Sequence, residues 1–298
     1  MGTAGDVWRI PLSGRAGDGP AGGPCVAALV TVPRTAPRAV VLLWPALAVT
    51  ASYYAPFAGE LAARGIAVVV ADLRGQGHSR PRAGRATRYG YHELAVRDWP
   101  VVVGAVRERF GGEVPLFLLG HSFGGQVSAL YAAREPKGVD GLVTVAAGSV
   151  DHRGFSGAAR LRVLAGTQFI SVISALWGYW PGHRLGFGGR QPARLMRDWA
   201  RISRTGRFRP SGADFDYEAA FGGVTLPVLA VSVAGDRLAP PSAVDRLCAK
   251  LSSAEVERWH YQPPAGDRSD HVRWARSGAD IAARISDWVH DRATSGDK

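Results

Sequence analysis

Val114-Pro115-Leu116-Phe117-Leu118-Leu119 runs uncharged into Gly120-His121-Ser122-Phe123-Gly124-Gly125, and a helical pattern follows as far as Arg134. The apolar run predicts a strand over Val114–Leu119, and the stretch Phe123–Arg134 predicts a helix. A Gly-x-Ser-x-Gly pattern is a weak match by itself. Wedged between a strand and a helix, it predicts a sharp turn with Ser122 at the apex. Glycines two residues to either side let neighbouring chains come close, and the first amides of the helix face any developing negative charge. Ser122 is therefore the candidate nucleophile.

Outward from this turn, short apolar runs alternate with helical patterns. Cys25–Val32, Ala39–Trp44, Ile66–Ala71, Gly141–Ala146, Val228–Val233 and Val256–Tyr261 read as further strands, with Val7–Leu12 a possible addition at the N-terminal edge. Most are apolar throughout rather than alternately, as strands covered on both faces are. Helices are predicted over Tyr53–Arg64, His92–Phe110, Ser242–Leu251 and Gly278–Arg292. Strand followed by helix, repeated, implies right-handed crossovers and a mostly parallel α/β sheet. The alternation breaks between about Asp151 and Gly223, a stretch without a clear strand and rich in aromatics and arginine. An inserted helical cap is expected there, which divides the chain into a first core part (1–150), the cap (151–223) and a second core part (224–298).

Composition narrows the function classes. The 298 residues are 46% hydrophobic and 20% charged, which excludes a disordered chain. Two cysteines, Cys25 and Cys248, make a disulfide framework improbable, so free thiols are expected. Ala39–Val49 and Phe169–Trp180, the longest uncharged apolar runs, fall short of the ~20 residues that span a bilayer. No secretory signal is visible at the start, so a cytoplasmic location without an integral membrane segment is expected. The net charge is +11, and eleven arginines against one acid, Asp198, lie between His152 and Pro210. Arg80, Arg82, Arg85 and Arg88 form a second basic cluster. Neither comes with a zinc-finger, basic-zipper or RNA-binding signature, and arginine without lysine fits a GC-rich genome, so no nucleic-acid partner is expected. No metal-ligand spacing occurs, and Gly75-x-Gly77 lacks the third glycine of a dinucleotide fingerprint, so neither metal nor cofactor is expected.

A serine hydroxyl needs a base to remove its proton. Of eight histidines, His271 stands apart: it follows the last strand and the loop Gln262–Asp270 and precedes the final helix. In a doubly wound sheet that places it at the carboxyl edge, where Ser122 also emerges. His121 adjoins the serine but points elsewhere if the turn is sharp, His78 reads as a rim residue, and His260 as a half-buried strand residue. The carboxylate that orients the imidazole is expected to be Asp236, just after Val228–Val233, with Asp151 as the alternative.

These residues resemble the α/β-hydrolase superfamily over nearly the whole chain, and within it proteins related to serine aminopeptidases and monoacylglycerol lipases. The likeness is carried by Tyr54-x-Pro56-Phe57-Ala58 with Leu61-Ala62-x-x-Gly65, by Asp72-x-Arg74-Gly75-x-Gly77-x-Ser79, by the segment from Gly120 to Gly125, and by Gly235-Asp236. Trp177-Gly178-Tyr179-Trp180-Pro181-Gly182 with Arg197-Asp198-Trp199 resembles a subgroup's cap motif. The resemblance implies an α/β-hydrolase fold, here an eight-stranded sheet with helices on both faces and an inserted helical cap, and the chain order serine, acid, histidine. Many relatives carry His-Gly after the third strand, where this chain reads Pro45-Ala46-Leu47. By that correspondence the amides of Leu47 and Phe123 are the expected oxyanion donors. Implied too are a small-molecule acyl substrate and contacts to it from Trp177, Tyr179 and Trp180, within an apolar cap wall over Phe169–Trp180. Ester or thioester hydrolysis is the expected chemistry, with acyl transfer or amide cleavage as rivals and a non-catalytic binding protein as a further alternative.

Overall fold

The computed structural model describes residues 7–12, 23–134 and 138–295. Its strands are β1 (Trp8–Pro11), β2 (Cys25–Thr31), β3 (Ala39–Trp44), β4 (Ile66–Ala71), β5 (Leu116–His121), β6 (Gly141–Val145), β7 (Tyr179–Pro181), β8 (Arg190–Pro192), β9 (Val228–Val233) and β10 (Val256–Tyr261). Its helices are α1 (Ala55–Ala62), α2 (Tyr91–Glu93), α3 (Trp99–Phe110), α4 (Phe123–Arg134), α5 (Gly157–Trp177), α6 (Gly182–Leu185), α7 (Ala193–Thr205), α8 (Tyr217–Ala220), α9 (Pro241–Cys248) and α10 (Ala279–Ser295). Eight strands form one sheet in the order β1-β2-β4-β3-β5-β6-β9-β10. Pairing is antiparallel from β1 through β2 to β4 and parallel from β4 to β10.

The continuous apolar runs are explained by a core on each face. Along β3, Val40, Leu42 and Trp44 point into one buried cluster, and Ala39, Val41 and Leu43 into the other. The first cluster takes in Trp99 and Val102 of α3 and Val127 and Leu130 of α4, the second Phe57 and Leu61 of α1 and Ile285 and Trp288 of α10. Near the carboxyl end of β3, Trp44 stacks on Trp99 with ring centroids 4.0 Å apart. The expected mostly parallel α/β sheet with helices on both faces is what the chain forms.

Some boundaries differ from expectation for local reasons. β5 begins two residues late, at Leu116: the carbonyl of Pro115 accepts from Val40, but proline has no N–H to offer the ladder. It also runs on to His121, which pairs with Val145. The single helix expected over His92–Phe110 is broken by a π-helical stretch, Leu94–Asp98. Pro100 supplies no N–H and crowds the carbonyl of Val96, so the ladder widens just ahead of it. Residues 151–223 do fall between sheet neighbours β6 and β9, but the stretch is not strand-free: β7 and β8 pair antiparallel within it. Three residues per strand are too few to leave a periodic signal.

Helix α5, with 21 residues and mean hydropathy 1.2, is long and apolar enough to cross a membrane by length and composition. The uncharged run alone missed this because arginines interrupt its first half. Phe169, Val172 and Leu176 on its outer side are exposed, while Thr167, Ile170 and Ser174 are buried.

Two glycines separate packing from propensity. A Cβ on Gly120 would stand 2.2 Å from the Gly125 Cα, whereas one on Gly104, on the exposed side of α3, meets nothing within 4 Å. Gly104→Ala is expected to raise the melting temperature by about 1–3 °C through unfolded-chain entropy. Gly120→Ala is expected to lower it by more than about 10 °C or prevent folding. Calorimetry on both variants checks the pair, and a Gly120→Ala protein as stable as wild type would contradict the tight strand–helix approach.

Candidate active site

Ser122 sits at the apex of the turn with φ 53°, in the left-handed region that a serine rarely adopts. The turn is held from both sides. Ser122 N donates to Val145 O at 3.1 Å, and Ser122 O accepts from the amides of Gly125 and Gln126 at 3.0 and 3.2 Å, starting α4. The turn also presses on the end of β3, since a Cβ on Gly124 would lie 2.1 Å from Trp44 O. The pattern's glycines are thus required by close backbone approach, and the hydroxyl is left facing the carboxyl edge of the sheet.

The other two predicted side chains arrive there from separate loops. His271 Nε2 stands 2.9 Å from Ser122 Oγ, and its Nδ1 stands 2.8 Å from Asp236 Oδ2. Asp270 Oδ1 accepts from the amides of Val272 and Arg273, both at 2.9 Å, which turns the chain around His271. Asp236, directly after β9, uses its second oxygen on the amides of Leu238 and Ala239 at 2.8 and 2.9 Å. With an acceptor at Nδ1, the imidazole carries its proton there and presents the Nε2 lone pair to the serine.

The remaining candidates fall elsewhere. Asp151, the alternative acid, is committed to arginines: its Oδ1 accepts from Arg153 and its Oδ2 from Arg246, each Nε at 2.9 Å. Burial pulls its carboxyl pKa upward, but these two guanidiniums outweigh that and hold it below the usual range. His78 is exposed, and its amide donates to Asp72. His260 is exposed rather than half-buried, because β10 forms the sheet edge, and its ring lies 2.9 Å from Ser232 Oγ. His121 does point away from the cleft into the interior, as a sharp turn requires.

A cavity of about 1060 Å³ opens over the serine, with walls from the sheet edge and from the 151–223 insertion. Leu47 and Phe123 both line it, and among the described residues neither backbone amide meets an intramolecular acceptor. The predicted aromatic contacts do not line it. Trp177 is half exposed, Tyr179 lies beneath the Arg190 guanidinium, and Trp180 is buried with its indole donating to Phe187 O. The helical wall is the stretch of α5 from Ala159 to Ile170, which meets the expected Phe169–Trp180 only at Ile170. Beside Phe123 and Phe155, Phe187 and Trp199 add aromatic surface, their rings tilted 31° at 6.1 Å. The cap motif includes Trp199 but did not mark it as a cavity contact, and no sequence signal marked Phe187, because α5 runs past the cavity before the chain folds back through β7 and β8.

Most of the insertion's basic residues that have partners serve the scaffold. Arg194 pairs with Glu93, Arg201 with Asp198, and Arg204 with Gln168. Arg162 and Arg237 line the cavity instead, without an ion-pair partner among the described residues. The only carboxylate in the described lining is Asp236, already bound to His271.

Comparison with known proteins agrees with this geometry. The family model described as serine aminopeptidase, S33, matches residues 35–196, more than half of the chain. The chain belongs to the serine aminopeptidase S33 family. The match includes Ser122 and ends before Asp236 and His271. No curated protein matches in sequence. Among solved structures, Est1E from Butyrivibrio proteoclasticus with bound ferulic acid superposes with TM-score 0.60 at 15% identity, over 93% of this chain and 97% of its own. The thioesterase domain from the curacin biosynthetic pathway gives 0.56 at 17%, over 96% and 99%. The monoacylglycerol lipase of Paleococcus ferrophilus gives 0.57 at 17%, over 90% and 99%. At these identities the likeness speaks for the fold. Family and fold together make this S33 member a hydrolase of the α/β-hydrolase type.

Asp151 gives a test of the scaffold apart from chemistry. Asp151→Ala leaves two arginines short of their acceptor and is expected to lower the melting temperature by roughly 3–8 °C, from about 1–3 kcal/mol. A calorimetric midpoint equal to wild type would show that the arginines are held without it.

Proposed function

We propose that this chain is a serine hydrolase that cleaves a carboxylic ester or thioester through an acyl-enzyme. The observation that carries the proposal is the unbroken line from Ser122 Oγ through His271 Nε2 and Nδ1 to Asp236 Oδ2, with steps of 2.9 and 2.8 Å at the mouth of the cavity. Ser122 Oγ attacks the carbonyl carbon while His271 Nε2 takes its proton. The tetrahedral oxyanion is held by the amides of Leu47 and Phe123, both free to donate into the cavity. His271 then returns the proton to the departing alcohol or thiol, leaving the acyl group on Ser122. A water molecule, deprotonated by the same imidazole, attacks the ester carbonyl, and as the acyl–Oγ bond breaks the imidazolium returns the proton to Ser122 Oγ and the acid leaves. Asp236 stays ionised throughout and stabilises the transient imidazolium.

The family description raises a second reading, removal of an N-terminal amino acid. Such a substrate brings a free ammonium close to the scissile bond, where a carboxylate should receive it. Here the lining acid, Asp236, is saturated by His271 and two amides, and the charged groups beside it are Arg162 and Arg237. An acyl substrate, apolar along α5 and the aromatic pair and carrying a remote carboxylate or phosphate, suits these walls better. The fold neighbours include Est1E with bound ferulic acid and a thioesterase domain, which agrees with that preference.

A panel of p-nitrophenyl esters, acyl-thioesters and aminoacyl anilides tests both readings. Ester or thioester turnover is expected, with at least about a thousandfold loss in His271→Ala and in Ser122→Ala. Anilide cleavage exceeding ester cleavage would favour the aminopeptidase, and a merely twofold loss in either variant would place the chemistry elsewhere. Between p-nitrophenyl esters of equal length, the one ending in a carboxylate is expected to be preferred up to about fivefold at low salt, the scale of an exposed ion pair. That preference should vanish in the Arg162→Gln/Arg237→Gln double variant. Its persistence there would assign the discrimination to other groups.

A further inference from the structure

Behind the nucleophile, on the side away from the cavity, lies a chain of buried polar groups that the hydrolytic steps do not use. Ala46 N stands 3.1 Å from the Tyr54 hydroxyl, which stands 2.7 Å from His121 Nδ1, and His121 Nε2 stands 2.7 Å from the carbonyl oxygen of His271. Tyr54 and His121 are both fully buried, so no bulk water competes for these groups.

The chemistry of the two ends fixes the direction of every bond. A carbonyl can only accept, so His121 Nε2 carries a proton. Burial, reinforced by the nearby His271, drives the His121 pKa well below its usual value and keeps the ring neutral. His121 Nδ1 is then a bare acceptor, Tyr54 donates its hydroxyl proton to it, and the Tyr54 oxygen accepts from the Ala46 amide. Burial likewise pushes the Tyr54 pKa far upward, so its proton stays in place. The indole N–H of Trp274 comes within 3.3 Å of the same Nε2. The indole and the carbonyl make opposite demands on that nitrogen, and the shorter contact, 2.7 Å to a carbonyl oxygen that can only accept, places the proton on Nε2 over the longer one at 3.3 Å.

We infer that Tyr54 and His121 are positioning residues: their relay sets the loop that carries the first oxyanion donor against the loop that carries the base. This rests on the serine-hydrolase reading above. Ala46 is pinned twice, through its amide to Tyr54 and through its carbonyl to Val49 N at 3.2 Å. In a trans peptide the next N–H points opposite that carbonyl, so the Leu47 amide is aimed into the cavity that Leu47 lines. At the other end the relay holds the main chain of the residue whose side chain reaches Ser122. His121 is itself covalently joined to Ser122, so nucleophile, base and oxyanion donor share a single reference point. A shift of about 1 Å in such a constellation loses on the order of a hundredfold in rate.

A purely structural pair would lower stability and leave turnover per folded molecule alone. The positioning role predicts a loss in kcat with KM within twofold, about tenfold for Tyr54→Phe and about a hundredfold for His121→Leu. Glutamine places an N–H where Nε2 stood, so His121→Gln should recover to within about tenfold of wild type. In parallel, nitrogen-15 NMR of the histidine rings of the wild-type protein at pH 7 should show His121 protonated at Nε2 and bare at Nδ1. The opposite tautomer would overturn the relay, whatever the variants do and even where His121→Leu does not fold. So would wild-type kcat in Tyr54→Phe, or a glutamine variant no better than leucine. Ser122→Ala in the same assay separates the two levels. If its turnover equals that of wild type, the hydrolase reading falls and the positioning role falls with it. If wild-type turnover depends on Ser122 and Tyr54→Phe matches it, only the relay falls.

Discussion

Everything at the carboxyl edge depends on Ser122 being held in a backbone conformation that serine disfavours. A left-handed residue between strand and helix stores on the order of 1–3 kcal/mol, and persists only where its surroundings allow nothing else. Here the surroundings are backbone: Gly120 against Gly125, Gly124 against Trp44, and the Ser122 amide on Val145. These contacts need β3, β5 and β6 side by side in register, and that register needs both apolar cores. The turn therefore converts the stability of the whole sheet into the placement of one hydroxyl, and the loops after β9 and β10 deliver the acid and the imidazole to the same edge.

The insertion serves the site in a different way. Its arginines are the largest excess of charge in the chain, and a basic cap invites a polyanion as partner. Several of these arginines meet acidic groups of the scaffold, as with Arg194 on Glu93 and Arg153 on Asp151, and Arg190 lies over the Tyr179 ring. What the insertion contributes to the cavity includes one side of α5 with Arg162, and the rings of Phe155, Phe187 and Trp199. Arg237 comes from the core, next to Asp236, so the cationic character of the cavity does not come from the insertion alone.

The sheet was legible in the sequence because strands buried on both faces leave continuous apolar runs, and β3, β4 and β9 begin and end where those runs do. Ser122, His271 and Asp236 were legible for a related reason: Ser122 directly follows β5, Asp236 lies three residues past β9 and His271 lies in the loop after β10, so predicting the strands also located the residues beyond their carboxyl ends. The cavity wall was not legible. Trp177, Tyr179 and Trp180 stand out by size and by motif, yet which side of a helix faces a cavity depends on how α5 lies over the sheet, and no local pattern encodes that. Nor did any periodicity mark Phe187 and Trp199, which reach the cavity only through the fold-back of β7 and β8. The relay through Tyr54 and His121 was hidden as well. Its members are 67 residues apart, and a histidine beside a nucleophile reads from sequence as a residue that points away, which is true and says nothing of what it touches.

The most direct measurement is the intact mass of the protein after treatment with a fluorophosphonate, followed by peptide mapping. A single adduct is expected, on the peptide that contains Ser122, because among the described residues that is the serine hydroxyl joined to an imidazole whose other nitrogen is hydrogen-bonded to a carboxylate. An unmodified protein, or an adduct mapped to any other residue, would contradict the assignment of Ser122 as the nucleophile.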